Sequence, residues 1–457
     1  MAKPTDIRIQ EVRHWTHTID YRTPIKFGGR VVTSATLVNV RVTVETRDGR
    51  QGVGCGSMPM GNAWGWPSQA VTTDQTLQAL LDTAERYSQR AGELGISGDP
   101  LELTHALSEG LASDASVACS ALPESMPRLA QLVACSPTDA AIHDAFGKAL
   151  GQSCYRVLDQ AHCNRDLAAY LTPEFAGEYL QQYTSPEPVP SLPLYHLVGA
   201  LDPLTDADLA ERLGDGLPET LGEWILADEL THLKIKLAGD DLPWDVARVA
   251  AVERAAVVAQ TQLGRTTWCY SLDFNEKCAN VEYVLEFLAK LAEASPAALE
   301  RVQYIEQPTH RDLRANPENR MHEAAKIKPV VIDESLVDLE SLQLAREQGY
   351  SGVALKACKG HSEALLMGAA AQKYGLFLCV QDLTCVGASF LHSASLAARV
   401  PTVAAIEGNG RQYCPAGNAP WAAKFPGMFQ IRGGRVQTSE LNGPGLGGWS
   451  FDDAGDQ

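Results

Sequence analysis

The sequence predicts an α/β fold, a modified TIM-type (β/α) barrel carrying an α+β N-terminal capping domain. Three observations carry this. Strand-like and helix-like segments alternate from about residue 194 to 408, the pattern of a parallel barrel. Three carboxylates end successive apolar runs: Asp273 in Tyr270-Ser-Leu-Asp-Phe-Asn275, Glu306 in Val302-Gln-Tyr-Ile-Glu-Gln-Pro308, and Asp333 in Val330-Val-Ile-Asp-Glu334. Lysines bracket them, in Lys234-Ile-Lys236 upstream and Ala354-Leu-Lys356-Ala-Cys-Lys359 downstream. The steps from Lys236 to Asp273, Glu306, Asp333 and Lys356 are 37, 33, 27 and 23 residues, each close to one βα unit of roughly 30 residues.

Taken in order, the pattern is strand-like from Ile7 to Val53. Leu37-Val-Asn-Val-Arg-Val-Thr-Val-Glu45 alternates, and Arg47-Asp-Gly49 marks a hairpin turn. Residues 52–66, rich in glycine and aromatics, are expected to form a long loop. Helical periodicity covers about 73–92 and 101–111, and a further amphipathic helix runs from Pro137 to Leu150, stopped by Gly151. Eight barrel strands are expected at 194–198, 232–237, 267–273, 302–306, 329–333, 352–357, 376–381 and 403–407, with helices at 243–262, 280–293, 339–348, 361–374 and 386–399. Residues 155–192, including the Pro-rich stretch from Ser185 to Pro190, read as an insertion, and the Gly/Pro-rich tail from Arg411 reads as loop. The resulting division is 1–136 for the cap, 137–410 for the barrel and 411–457 for a C-terminal segment.

At 457 residues and 45% apolar content the chain suits two domains with a large core. A formal charge of −18 argues against nucleic acid or an anionic membrane as partner, since both select a basic face. No apolar run is long enough to span a bilayer, and the N-terminus lacks the apolar stretch of a secretory signal. The 11 cysteines, an odd number without a Cys-x-x-Cys pair, read as buried thiols of a reducing compartment. A cytoplasmic protein is expected.

The chemistry concentrates at the strand ends. Residues i and i+2 of a strand share a face, so Lys234 and Lys236 both enter the barrel, where like charges lower each other's pKa and favour a base. Lys356 interrupts an apolar strand, a costly position unless it faces a polar cavity. Asp273, Glu306 and Asp333 would repel one another unless a cation joins them, and oxygen-only ligands suit Mg²⁺, or Mn²⁺, rather than zinc. Such an ion between lysines is equipment for removing a proton next to a carboxylate. Asn275 is expected to support the ligands and Asp382 to contact substrate. Lys359 reads as a solvated loop lysine, and His392 as a packing residue. Segments 23–34 and 58–66 are candidate lids, with Lys26 and Arg30 positioned to bind a second anion and Trp64 and Trp66 to roof an apolar part.

These motifs, in this order from about Pro24 to Gly408, resemble the enolase superfamily, specifically the mandelate racemase/muconate lactonizing enzyme family and its muconate lactonizing branch. The resemblance implies Asp273, Glu306 and Asp333 as metal ligands, Lys236 and Lys356 as the acid/base pair acting on opposite faces of a small carboxylate substrate, and Lys234 as the group that tunes Lys236. It also implies that the tail folds back onto the cap. A homo-oligomer is expected. Late histidine is absent from the sixth and seventh strands, which leads away from the racemase branch with its His–Asp pair. Glu407-Gly-Asn409 replaces the Asp-x-Asp of dipeptide epimerases. Cycloisomerisation, loss of water and racemisation or epimerisation all remain open outcomes. An inactive barrel used for binding and a Schiff-base aldolase are the rival readings.

Overall fold

The computed structural model describes residues 2–27 and 30–454. Its N-terminal part is an antiparallel sheet of β1 (Ile7–Phe27), β2 (Arg30–Thr46), β3 (Gln51–Pro59) and the short β4 (Ser97–Gly98), in the order β3-β2-β1-β4. On it lie α1 (Asn62–Gly65), α2 (Thr73–Glu93), α3 (Pro100–Ala118) and α4 (Arg128–Leu150). The turn between β2 and β3 places Gly49 at φ 88°, a left-handed position that glycine takes without strain.

Two expectations fail here for one reason. Residues 52–59 are not a loop but strand β3, and the helix expected to begin at Pro137 begins at Arg128, with Pro137 inside it. A methyl group on Gly52, Gly54 or Gly56 would collide with the backbone oxygens of Ala145, Ala141 and Pro137 respectively. Two strand residues advance about 6.6 Å and four helix residues about 6 Å, so the glycines and the helix turns stay in step. Glycine here buys close approach, which local propensity does not register. The hydrogen bond that Pro137 cannot make leaves the Val133 carbonyl to the Ser136 hydroxyl, at 2.8 Å. The segment expected as a lid at 23–34 is the tip of the β1–β2 hairpin; Gly28 and Gly29 at that tip lie outside the described residues.

The barrel consists of β5 (Leu192–Val198), β6 (His232–Lys236), β7 (Cys269–Asp273), β8 (Val302–Glu306), β9 (Val330–Ile332), β10 (Gly352–Leu355), β11 (Phe377–Val380) and β12 (Val403–Glu407). All eight are parallel, each beside the next, and β12 pairs with β5 to close the ring. Helices α5 (Leu221–Asp228), α6 (Leu242–Gln262), α7 (Val281–Ala294), α8 (Pro296–Arg301), α9 (His322–Ile327), α10 (Leu339–Glu347), α11 (His361–Lys373) and α12 (Ala388–Arg399) connect them. Residues 154–182 form a run of single 3₁₀ turns. The tail adds β13 (Arg435–Val436), antiparallel to β5, and then returns to the cap, where Phe451 meets Trp15 edge-on at 4.9 Å and Asp452 takes Arg41 at 2.8 Å. No helix among the described residues is long and apolar enough to cross a membrane. The 11 cysteines are free and all but Cys269 are buried.

Candidate active site

The inward positions of the barrel form two layers. Tyr195, Tyr304, Val331, Ala354, Cys379 and Ala405 make an apolar plug. Two residues further along the same strands, where the side chain returns to the same face, stand Leu197, Glu306, Asp333, Lys356, Gln381 and Glu407. Lys236 and Asp273 complete this layer from β6 and β7, with Lys234 below Lys236. It lies at the C-terminal end of the strands, where barrel enzymes carry their chemistry.

The charged groups are buried and mutually bonded. Lys234 Nζ lies 2.8 Å from Glu306 Oε1, 3.0 Å from Glu407 Oε2 and 3.1 Å from Asp273 Oδ2, and it also donates to Gln381. Lys236 bonds the same Asp273 oxygen. Lys356 Nζ sits 2.9 Å from Asp333 Oδ2 and Lys359 Nζ 3.2 Å from Asp333 Oδ1. The order across the mouth is therefore Lys236, Asp273, Glu306, Asp333, Lys356. Burial alone would raise the Asp273 and Asp333 carboxyls. The lysines outweigh it, holding Asp273 well below the ordinary carboxylate range and Asp333 at about 2. Glu306 goes the other way: burial, with Asp273 beside it, pushes it well above that range. Burial and Asp333 push Glu334 up to about 7. Burial works against the charge on Lys234 and Lys356 as well. Glu306 and Glu407 reverse it for Lys234, and Asp333 for Lys356, so both hold their protons more tightly than usual.

The structure brings together Lys234, Lys236, Asp273, Glu306, Asp333 and Lys356. Asn275 is next to them, its backbone N–H on Asp273 Oδ1 at 2.8 Å. Asp382 differs from its expected role. Its carboxylate accepts the backbone N–H groups of Leu383, Cys385 and Asn409, so it shapes the loop after β11, and its carbonyl lies 3.4 Å from Lys356 Nζ. Three residues lie elsewhere. Lys26 is exposed on the hairpin, Arg30 is turned to Thr73 Oγ1 and the Ser68 carbonyl, and Trp66 is buried in the cap with its N–H on Glu124. It is Trp64 that roofs the mouth: its ring centroid is 4.1 Å from Lys356 Nζ and its N–H donates to Glu334 Oε1 at 2.9 Å. Trp64 lies in the short α1 turn, and Trp66 caps its end. Lys359, expected in solvent, is 3% exposed, because the 3₁₀ turn after β10 folds it back onto Asp333.

Glu334, Glu407, Gln381 and Gln307 also belong to the site. Gln307 Oε1 accepts the N–H groups of Asp333 and Ser335 at 3.0 and 3.2 Å and so fixes the exit of β9. Asn275, Gln307 and Thr384 carry φ of 44°, 29° and 54°, strain of the kind that collects at functional sites. The sequence signal for Glu407 was its position closing the eighth apolar strand.

A divalent ion is implied by the motif, and the donor set fits one. The donors are all hard oxygens. Glu306 Oε2 and Glu334 Oε2 are buried without a hydrogen-bond partner, and six buried acids, Asp273, Glu306, Asp333, Glu334, Asp382 and Glu407, stand with four buried lysines. As the side chains stand, no three His, Cys, Asp or Glu groups among the described residues surround one point; the ammoniums occupy the carboxylates instead.

The sequence model of the family described as enolase C-terminal domain-like matches residues 217–450, just over half of the chain. The chain belongs to the enolase superfamily. A curated relative, an aromatic dipeptide epimerase of Herpetosiphon aurantiacus, is 28% identical over 263 residues, which is 56% of this chain and 66% of that protein. The match thus spans slightly under two thirds of the relative's length. Among solved structures, a muconate lactonizing enzyme from Pseudomonas fluorescens complexed with muconolactone superposes with a TM-score of 0.61 at 18% identity, covering 98% of each chain. A Bradyrhizobium enolase complexed with magnesium and mandelic acid gives 0.60 at 16% identity, covering 98% of this chain and 97% of that one. These superfamily likenesses bear on the fold.

Proposed function

We propose that this enolase-superfamily protein is a Mg²⁺-dependent enzyme that removes the α-proton of a carboxylate substrate and returns a proton to the same carbon. The observation that carries this reading is the row of three strand-end carboxylates with a lysine at each end, Lys236 on Asp273 and Lys356 on Asp333. Asp273, Glu306 and Asp333 would hold the ion. Bound there, Mg²⁺ supplies positive charge to the substrate carboxylate and acidifies the adjacent C–H. With their carboxylates so engaged, the two lysines are released to the substrate. One takes the α-proton, leaving the substrate as an enediolate, and the other delivers a proton from the opposite side. Lys234, buried below them among Glu306, Glu407 and Asp273, keeps its charge and holds these groups in place. Trp64 closes the mouth and excludes water. The name of the epimerase relative and the magnesium in a neighbour's structure agree with this reading.

The test is α-proton exchange in deuterium oxide, followed by NMR on both enantiomers of carboxylate substrates with Mg²⁺ present. Lys236→Ala should lose exchange with one enantiomer and Lys356→Ala with the other. Full exchange from both enantiomers in either variant would rule out the two-base reading.

A further inference from the structure

Trp64 is held over Lys356 from two sides, and one of them lies outside the row of acids and lysines. Its indole N–H is on Glu334 and its ring faces Lys356 Nζ. Its main chain has no local support. Helix α1 is one turn long, and the last carbonyls of a helix have no partner within it. The groups that would serve the Trp64 carbonyl by continuing the turn are the N–H groups of residues 67 and 68. Residue 67 is proline, which has none. The Ser68 N–H bonds the Trp66 carbonyl instead, at 2.8 Å.

Arg311, in the loop after β8, fills this gap. Its guanidinium donates to the Trp64 carbonyl at 3.0 Å and to the Gly65 carbonyl at 3.4 Å. Among the described residues no other donor reaches either carbonyl. The same guanidinium is aimed by Glu276, in the loop after β7: Arg311 Nε lies 2.8 Å from Glu276 Oε2, and Nη2 bonds Oε1. Such a fork suits arginine and not lysine. Glu276 is itself fixed at both ends. Its carboxylate also takes the Arg311 backbone N–H at 3.0 Å, and its own N–H is on the Gln307 carbonyl at 2.8 Å. Its φ is 59°, a left-handed position that costs a residue with a side chain. A solvated ion pair would contribute little, but here both side chains are largely covered, at 17% and 13% exposure. The consequence is one-sided. Trp64 covers Lys356, whereas Lys236 stands at the other end of the row, on Asp273. A device that sets the height of the indole therefore acts on one of the two lysines.

We propose that Arg311 is a positioning residue: aimed by Glu276, it holds the Trp64 ring over Lys356 through the main chain, and so supports the work of that lysine and not of Lys236. The second half rests on the α-proton reading above; the first half does not. The test compares the parent with Arg311→Met, which keeps much of the side chain's bulk and removes its donors. Amide hydrogen exchange, followed by mass spectrometry, should quicken at least about ten-fold over residues 60–66 and stay unchanged in β7 and β8. The emission of Trp64, taken as the difference between each protein and its Trp64→Phe counterpart, should shift to the red and be quenched more readily by acrylamide. On a carboxylate whose α-proton the parent exchanges, the variant should slow exchange from the enantiomer that Lys356→Ala loses at least about five-fold more than from the other. Arg311→Lys keeps the charge but cannot span carboxylate and carbonyls together. It should behave as Arg311→Met does, and it serves in its place if that variant does not fold. Unchanged protection of residues 60–66, a loss of protection shared by the whole barrel, an unmoved Trp64 emission, equal slowing of both enantiomers, or failure of both variants to fold would overturn the proposal. Failure of the chemistry is visible separately: a parent protein that exchanges no α-proton defeats the α-proton reading, while amide exchange and Trp64 emission still decide whether Arg311 holds the ring.

Discussion

Two layers of one barrel, two residues apart along each strand, are built on opposite principles. The lower, from Tyr195 round to Ala405, is apolar and contributes by removing surface from water, at roughly 25 cal/mol per Å². The upper, from Lys236 round to Glu407, is as thoroughly buried but almost wholly polar or charged. Desolvation of such groups costs about as much as their pairing returns, or more. The strands are thus stabilised by one layer and loaded by the next with paired charge that is costly to bury. This is the arrangement expected where binding energy is reserved for a ligand.

The largest effect that would break this contrast comes from Lys234, which pairs with three acids. Lys234→Met should destabilise the metal-free protein by about 3–5 kcal/mol, read as a lower denaturant midpoint. Mg²⁺ should recover part of that loss, because a cation replaces the missing charge. A loss under 1 kcal/mol would mean that the upper layer is not strained by its charge. Next, Asp273→Asn or Glu306→Gln should weaken Mg²⁺ binding by at least about 100-fold, or roughly 2.8 kcal/mol, in calorimetry with the fold intact. Unchanged affinity in both would remove these residues from the ligand set. In the lower layer, Val331→Ala should cost about 1–3 kcal/mol by cavity formation, and here added Mg²⁺ should make no difference to the loss.

A finer distinction comes from pH. Asp333, held at about 2, contributes stability that is present above the unfolded value of about 4 and is lost as pH falls through 2. Glu334, raised to about 7, acts in the opposite sense. Its contribution is present below the unfolded value near 4.5 and is lost as pH rises through 7. Metal-free Glu334→Gln should therefore decline less in stability between pH 4.5 and 7 than the parent protein in parallel urea titrations; identical slopes would place the raised group elsewhere. The smallest effect is expected for Trp64→Phe, which keeps the ring over Lys356 and removes one hydrogen bond to Glu334. It should cost about 1 kcal/mol, or a several-fold loss in kcat, while Trp66→Phe in the cap should leave kcat unchanged.

The barrel was legible because buried parallel strands are short apolar runs, and because a charged residue closing such a run has few other reasons to be there. All eight strands lie within two or three residues of their expected bounds. What escaped depended on contacts between distant segments. The glycines of β3 are poor strand formers by propensity, and their reason lies in α4, some ninety residues on. Lys359 is polar, follows a strand and precedes a glycine, which describes a solvated loop; only the 3₁₀ turn after β10 returns it to Asp333. Trp64 and Trp66 are equivalent in one dimension, but Trp64 lies in the α1 turn and Trp66 follows its end in extended backbone, so the two rings leave in different directions. Arg30 was placed on the right hairpin, but local partners at Ser68 and Thr73 claim its guanidinium.

The contact between β3 and α4 has a consequence for how freely the protein can change. Trp64 hangs from the segment that leaves β3, so its height above Lys356 is set by how deeply that strand sinks against the helix. Three missing methyl groups, at positions 52, 54 and 56, act as a mechanical stop. Tolerance along this strand should therefore alternate residue by residue: the exposed Gln51 and Val53 free to vary, the glycines between and beyond them fixed. A bulkier residue at 56 would work as a wedge, raising the tryptophan from a lysine it never touches itself.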